Sequence, residues 1–184
     1  MDTEATIQTP LYWVQPRAMH RSFELHSQDG KNVGSLRFEK ALGTSARGDS
    51  LHGAWTFKRV GFLSTRVTVR KDGSDDDIAV FHPKTLGGGF VQAFGRTLQW
   101  KQANFWGTQW SFLESDDTPL VLFKPGAETE GISNLFKTQS IVELTTKPKD
   151  PAELSLLILL GWYLIVMTKE DSSGADVALL AATM

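Results

Sequence analysis

The chain has 184 residues, 41% of them hydrophobic, and a formal net charge of -2. That fits one domain with a sizeable core and argues against a general electrostatic grip on nucleic acid. It contains no cysteine, which excludes disulfides and thiolate metal sites and favours a reducing, cytoplasmic setting.

Residues 1–10 are acidic and carry no apolar block, so a flexible N-terminus without a secretory signal is expected there. From Leu11 to about Leu144 the chain falls into short runs rich in Val, Phe, Trp and Thr, broken by Gly, Pro and Asp-Gly pairs. This is the rhythm of an all-β domain. Leu11–Val14 reads as a first strand, stopped near Pro16. Ser22–Ser27 and Asn32–Glu39 flank Asp29-Gly30, the composition of a tight hairpin turn. Gly43–Asp49 reads as a loop. Leu51–Arg59 follows as a strand with Trp55 and Phe57 facing the core. Thr65–Arg70 alternates cleanly, with Val67 and Val69 on one face and Arg66, Thr68 and Arg70 on a wet, basic one. Further strands are expected at Ile78–His82, Phe90–Phe94, Thr97–Lys101, Thr108–Leu113, Leu120–Lys124 and Lys137–Leu144, with Trp100, Trp110 and Phe112 as inward anchors. Roughly ten to twelve short strands are enough to close a barrel and so remove exposed sheet edges.

Leu154–Met167 carries no charge and is apolar on every face. Asp150, Pro151 and Glu153 before it spell a helix start: an N-cap, proline at the first position and an acid at the third. A helix with no polar face belongs in a protein centre or a bilayer. At about 1.5 Å per residue this run is roughly 21 Å long, short of a bilayer core of about 30 Å. A mainly β fold is therefore expected: a closed barrel spanning 11–168 around one central helix at 151–168, with 169–184 as a tail. Use of 154–167 as a tail anchor is the membrane alternative.

The aromatic and glycine punctuation of Trp55–Phe62 and Phe105–Phe112, followed by one wholly apolar helix, resembles the tubby-like superfamily. That group includes tubby C-terminal domains, LURP-one-related proteins and phospholipid scramblases. The resemblance implies a barrel threaded by a hydrophobic helix, without enzymatic activity, that binds anionic phospholipid headgroups such as phosphoinositides, or a protein partner. It would act in the cytoplasm or peripherally at a membrane. Scramblases carry an acidic calcium-binding segment before their terminal helix, whereas this chain has Thr145 to Lys149 there, so no calcium requirement is expected.

Lys58, Arg59, Arg66, Arg70 and Lys71 stand together with no acid between them, and they are the candidate lipid or anion site. The plainer reading is a solvated strand face. Asp72 and Asp75–Asp77 lack the spacing of a calcium loop, and His20, His26, His52 and His82 are too scattered for a zinc site. Neither Gly43–Gly48 nor Gly87–Gly89 matches a nucleophile elbow or a phosphate loop. No cofactor is expected, and no paired acid and base points to an enzyme. The tryptophans are expected in the core, with Trp13 or Trp106 as the candidates for an exposed contact. Gly53-Ala-Trp55 matches the short motif of lipocalin-like carriers, but a helix inside the barrel would fill a carrier's cavity.

Overall fold

A computed structural model describes residues 9–17, 20–62, 64–85, 87–126, 137–145 and 150–182. Twelve strands form one closed antiparallel barrel: β1 (Leu11–Gln15), β2 (Ser22–Ser27), β3 (Asn32–Phe38), β4 (Ala46–Ser50), β5 (Gly53–Val60), β6 (Arg66–Lys71), β7 (Asp77–Pro83), β8 (Gly89–Ala93), β9 (Arg96–Gln102), β10 (Trp110–Leu113), β11 (Pro119–Pro125) and β12 (Lys137–Leu144). Each strand pairs with its neighbours in sequence. β1 closes the ring on β12, with Leu11 opposite Val142 and Gln15 opposite Lys137. No sheet edge is left among the described strands, so the backbone groups of the wall are satisfied within the ring.

Helix α1 (Pro151–Ala182) runs through the barrel, which encloses its Leu154–Met167 stretch. Every residue from Leu154 to Met167 is buried, which matches the bounds of the uncharged run. Strand residues supply the facing layer: Trp13 stacks on Trp162 at 5.6 Å, and Phe38 and Phe57 lie either side of Tyr163, each at 5.6 Å. The segment Pro151–Ser173 is long and apolar enough to cross a membrane, yet 78% of its most apolar window is buried inside the barrel. Burial of each large apolar side chain contributes about 1.5–3 kcal/mol, so the helix acts as the core of the domain.

Asp150 caps the helix as expected, accepting from the Ala152 amide at 2.8 Å. Glu153 does not complete a capping box: its carboxylate pairs with Arg96, which also holds Glu114. Three further expectations are corrected. The 43–49 stretch is not all loop, because Ala46–Ser50 is β4. It carries only small residues inward, since a side chain on Gly48 would meet Phe57 Cε2 at 2.9 Å and Leu159 Cδ1 at 3.1 Å. Strand β10 starts at Trp110 rather than Thr108, because Asn104 Oδ1 takes the amides of Thr108 and Gln109 at 3.0 Å each. Residues 169–182 are not a separate tail but the continuation of α1. Residues 1–8 lie outside the described residues.

Chain direction gives the barrel two distinct ends. β12 delivers the chain to one end, here the foot, where α1 begins. The helix runs through and emerges at the other end, here the mouth. The hairpin turn at Asp29-Gly30 is a foot turn, closed by Gly30 donating to the Ser27 carbonyl at 2.9 Å.

Candidate functional site

With the lumen filled, polar chemistry is available only on the outer wall and at the two ends. The mouth is built around the emerging turn of α1. Arg21 donates to the carbonyls of Lys40, Ala41 and Gly43 at 2.9, 3.2 and 2.7 Å, and to Glu170 at 2.6 Å, so it ties the 39–45 loop to the helix. Arg59 holds Asp171 through two bonds of 3.0 and 2.8 Å. The Asp171 bond also raises the Arg59 pKa above its ordinary value. Tyr163 reaches up to donate to the Thr44 carbonyl at 2.6 Å.

Beside this latch a cleft of about 330 Å³ opens between α1 and strands β6 to β10. Trp100, Trp110, Leu164 and Met167 form its apolar wall, and the two indoles stack at 5.3 Å. Arg59, Arg66 and Lys84 bring three cations to it against the single carboxylate of Asp171. Arg59 is committed to that carboxylate, whereas Arg66 and Lys84 have no side-chain partner among the described residues. The floor of the cleft depends on Gly88, whose φ of 69° and contact with the Trp100 carbonyl leave no room for a side chain. This arrangement can seat an anion at the rim with apolar surface behind it.

The five basic residues singled out in the sequence do not form one face. Register sets them apart: Lys58 lies on the outer face, Arg59 lies opposite inward-facing Val67 at the mouth, and Arg66 starts β6 at the rim, opposite Val60. Arg70 and Lys71 end β6 at the foot. Arg70 is engaged by Asp77 at 2.7 Å and Asp75 at 3.5 Å, and the Asp77 bond raises its pKa above the ordinary value. The acidic run after β6 thus folds back on the strand it follows. Thr68, expected on the wet face, is buried. Of the five, Arg59 and Arg66 reach the cleft, and Lys84 joins them from the 84–88 turn.

The two ends also differ in charge. Among the described residues the mouth loops carry Arg17, Arg21, Lys40 and Lys84 against Glu39 alone. The foot loops carry Asp29, the Asp72–Asp76 turn and the Glu114–Asp117 turn against Lys31. The connectors 127–136 and 146–149 lie outside the described residues; by sequence the first holds Glu128 and Glu130, the second Lys147 and Lys149. Trp13 is buried, whereas Trp106 stands 81% exposed beside Phe105 on the 103–109 loop. No family model, curated protein or solved structure matches the chain.

Proposed function

We propose that this chain is a non-enzymatic, tubby-like barrel that binds anionic phospholipid headgroups at its mouth, as a cytoplasmic protein peripheral to a membrane. The observation that carries the reading is the pair Arg66 and Lys84, which line the cleft without a carboxylate partner among the described residues. A phosphate group answers that need: guanidinium offers it a bidentate, charge-assisted fork and ammonium a point charge. The resemblance to tubby-like proteins supports the same class of ligand. A carrier holding a small molecule inside the barrel would need the volume that Leu154–Met167 fills. A tail anchor would need the same run outside the barrel.

Each basic residue near an anionic surface contributes about 1 kcal/mol, so losing both corresponds to about a 30-fold drop in binding. The test is co-sedimentation with phosphatidylcholine vesicles containing phosphatidylserine or a phosphoinositide, comparing the natural chain with an Arg66→Gln, Lys84→Gln variant. Neither side chain has a partner to lose among the described residues, so the melting transition should not move. Equal binding by the two proteins at low salt would remove headgroups as the ligand of the cleft.

A further inference from the structure

The four most exposed large apolar side chains of the described residues are Leu42, Phe62, Phe105 and Trp106, at 101%, 98%, 94% and 81%; the next, Leu51, is at 66%. All four sit on mouth loops, spread over 39–45, 61–65 and 103–109. Scattered single hydrophobes are ordinary on a protein surface, but four at one end, two of them adjacent aromatics, are not scattered. Phe105 and Trp106 meet edge to face at 5.5 Å, leaving most of both rings to solvent. They rise among basic loop residues, while the acidic turns lie at the far end. Helix α1 also leaves through this end, running roughly 16 Å past Asp171.

We propose that the mouth inserts into a bilayer interface: Leu42, Phe62, Phe105 and Trp106 enter the boundary between headgroups and acyl chains around the end of α1. The choice of a lipid surface rests on the headgroup reading and deepens it by assigning an orientation and the apolar contacts. Indole and phenyl rings favour that boundary, where an apolar body sits below the polar layer. Insertion by about 5–10 Å is the depth of interfacial elements of this kind. Charge sets the direction. Among the described residues the loops of the mouth are net basic and those of the foot net acidic, so anionic lipid attracts the first and repels the second, and the barrel stands on its mouth.

Insertion leaves a signature that headgroup contact alone does not, because burial of apolar surface survives salt. Raising salt from about 0.1 M to about 1 M shortens the screening length from about 10 Å to about 3 Å and removes the electrostatic share of binding. Three forms of the chain are compared on vesicles of phosphatidylcholine with and without phosphatidylserine: the natural sequence, a Phe62→Ser, Phe105→Ser, Trp106→Ser variant, and Arg66→Gln, Lys84→Gln. The natural chain should keep part of its binding at high salt. The tip variant should lose about tenfold in partition for each side chain at either salt, with its melting transition unchanged. A second readout is tryptophan quenching by dibrominated phosphatidylcholine, which should fall sharply in Trp106→Ser, since the other tryptophans are buried or half-buried. A tip variant that binds like the natural chain at high salt, or a vesicle-bound natural chain without quenching, overturns insertion while leaving the headgroup reading standing. Normal binding by the Arg66, Lys84 variant with loss in the tip variant does the reverse. A natural chain that stays in the supernatant with both vesicles overturns insertion and makes a protein the partner of this end.

Discussion

Replacing Gly161 with alanine improves the helix and should nevertheless destabilise the protein. In an isolated helix the change is worth about 1 kcal/mol in favour of folding. In the barrel, the added methyl falls 2.5 Å from Phe123 Cε2, nearer still to its Cζ, and 3.2 Å from Phe112 Cε2. Ordinary carbon contacts are about 3.5–4.0 Å, so the Phe123 ring must give way by about 1 Å. It has nowhere to go: Phe123 and Phe112 are buried, and Trp100 lies against both, at 5.6 and 4.5 Å. Overpacking of a filled core costs about 1–3 kcal/mol, which offsets the propensity gain and leaves a net loss of up to about 2 kcal/mol. For a chain of this length that lowers the melting temperature by about 2–4 °C per kcal/mol. Urea denaturation followed by circular dichroism measures it. The same substitution in a Phe123→Leu background should be markedly less harmful, because the smaller side chain clears the clash and the two positions couple. An alanine variant that gains stability, or that loses it equally in both backgrounds, refutes close packing between helix and wall at this point.

Leu157 is 2% exposed at the middle of the plug, so Leu157→Asp strands an unpaired charge worth several kcal/mol against a typical stability of about 5–15 kcal/mol. The variant should be insoluble or unfolded; a soluble form with a cooperative melt would disprove the central helix. Tyr163 makes stability sensitive to alkaline pH. Burial raises its pKa well above the ordinary 10.0, so the folded chain keeps a proton that the unfolded chain releases. Its contribution is complete below about pH 10 and is lost as pH rises from there. Tyr163→Phe should cost about 1 kcal/mol at neutral pH through the lost bond to Thr44 and should flatten the alkaline decline of the melting temperature. An equally steep decline in the variant would show that another group is responsible.

Alternation and turn chemistry made most of the wall legible. Ser22–Ser27 and Lys137–Leu144 match their strands end to end, because polar alternation and a marked turn delimit the first and the helix start follows the second. Strand β4 was hidden for a tertiary reason. Its inward positions, Ala46 and Gly48, are small because Phe57 and Leu159 occupy the space, and a strand without large residues has no visible period. The candidate site was legible only in part. A run of basic residues along a strand divides between two faces and two ends once the register is set, and acids distant in sequence, such as Asp171, can claim a member of it. Lys84 gave no local signal, since it comes to the same cleft as Arg66 only once β7 pairs with β6 and carries the chain back to the 84–88 turn. The exposed Phe62 and Phe105 look like core residues in sequence; only their position on mouth loops separates them from Phe57 or Phe112.

The charge at the foot has a structural cause that the charge at the mouth lacks. The foot holds the N-terminus of α1, where unpaired amides and the helix dipole favour negative charge, and Asp150 and Glu153 take part directly. Arg70 and Arg96 neutralise several of the others. At the mouth, Arg21 and Arg59 are consumed by Glu170 and Asp171, which fixes the direction in which the helix leaves. Arg66 and Lys84 remain outside this accounting. Removing them breaks nothing within the described fold, so their placement around an apolar cleft has no explanation in stability. Substitutions at the mouth should therefore divide cleanly: those at Arg21 and Arg59 act on folding, and those at Arg66 and Lys84 act on what the barrel binds.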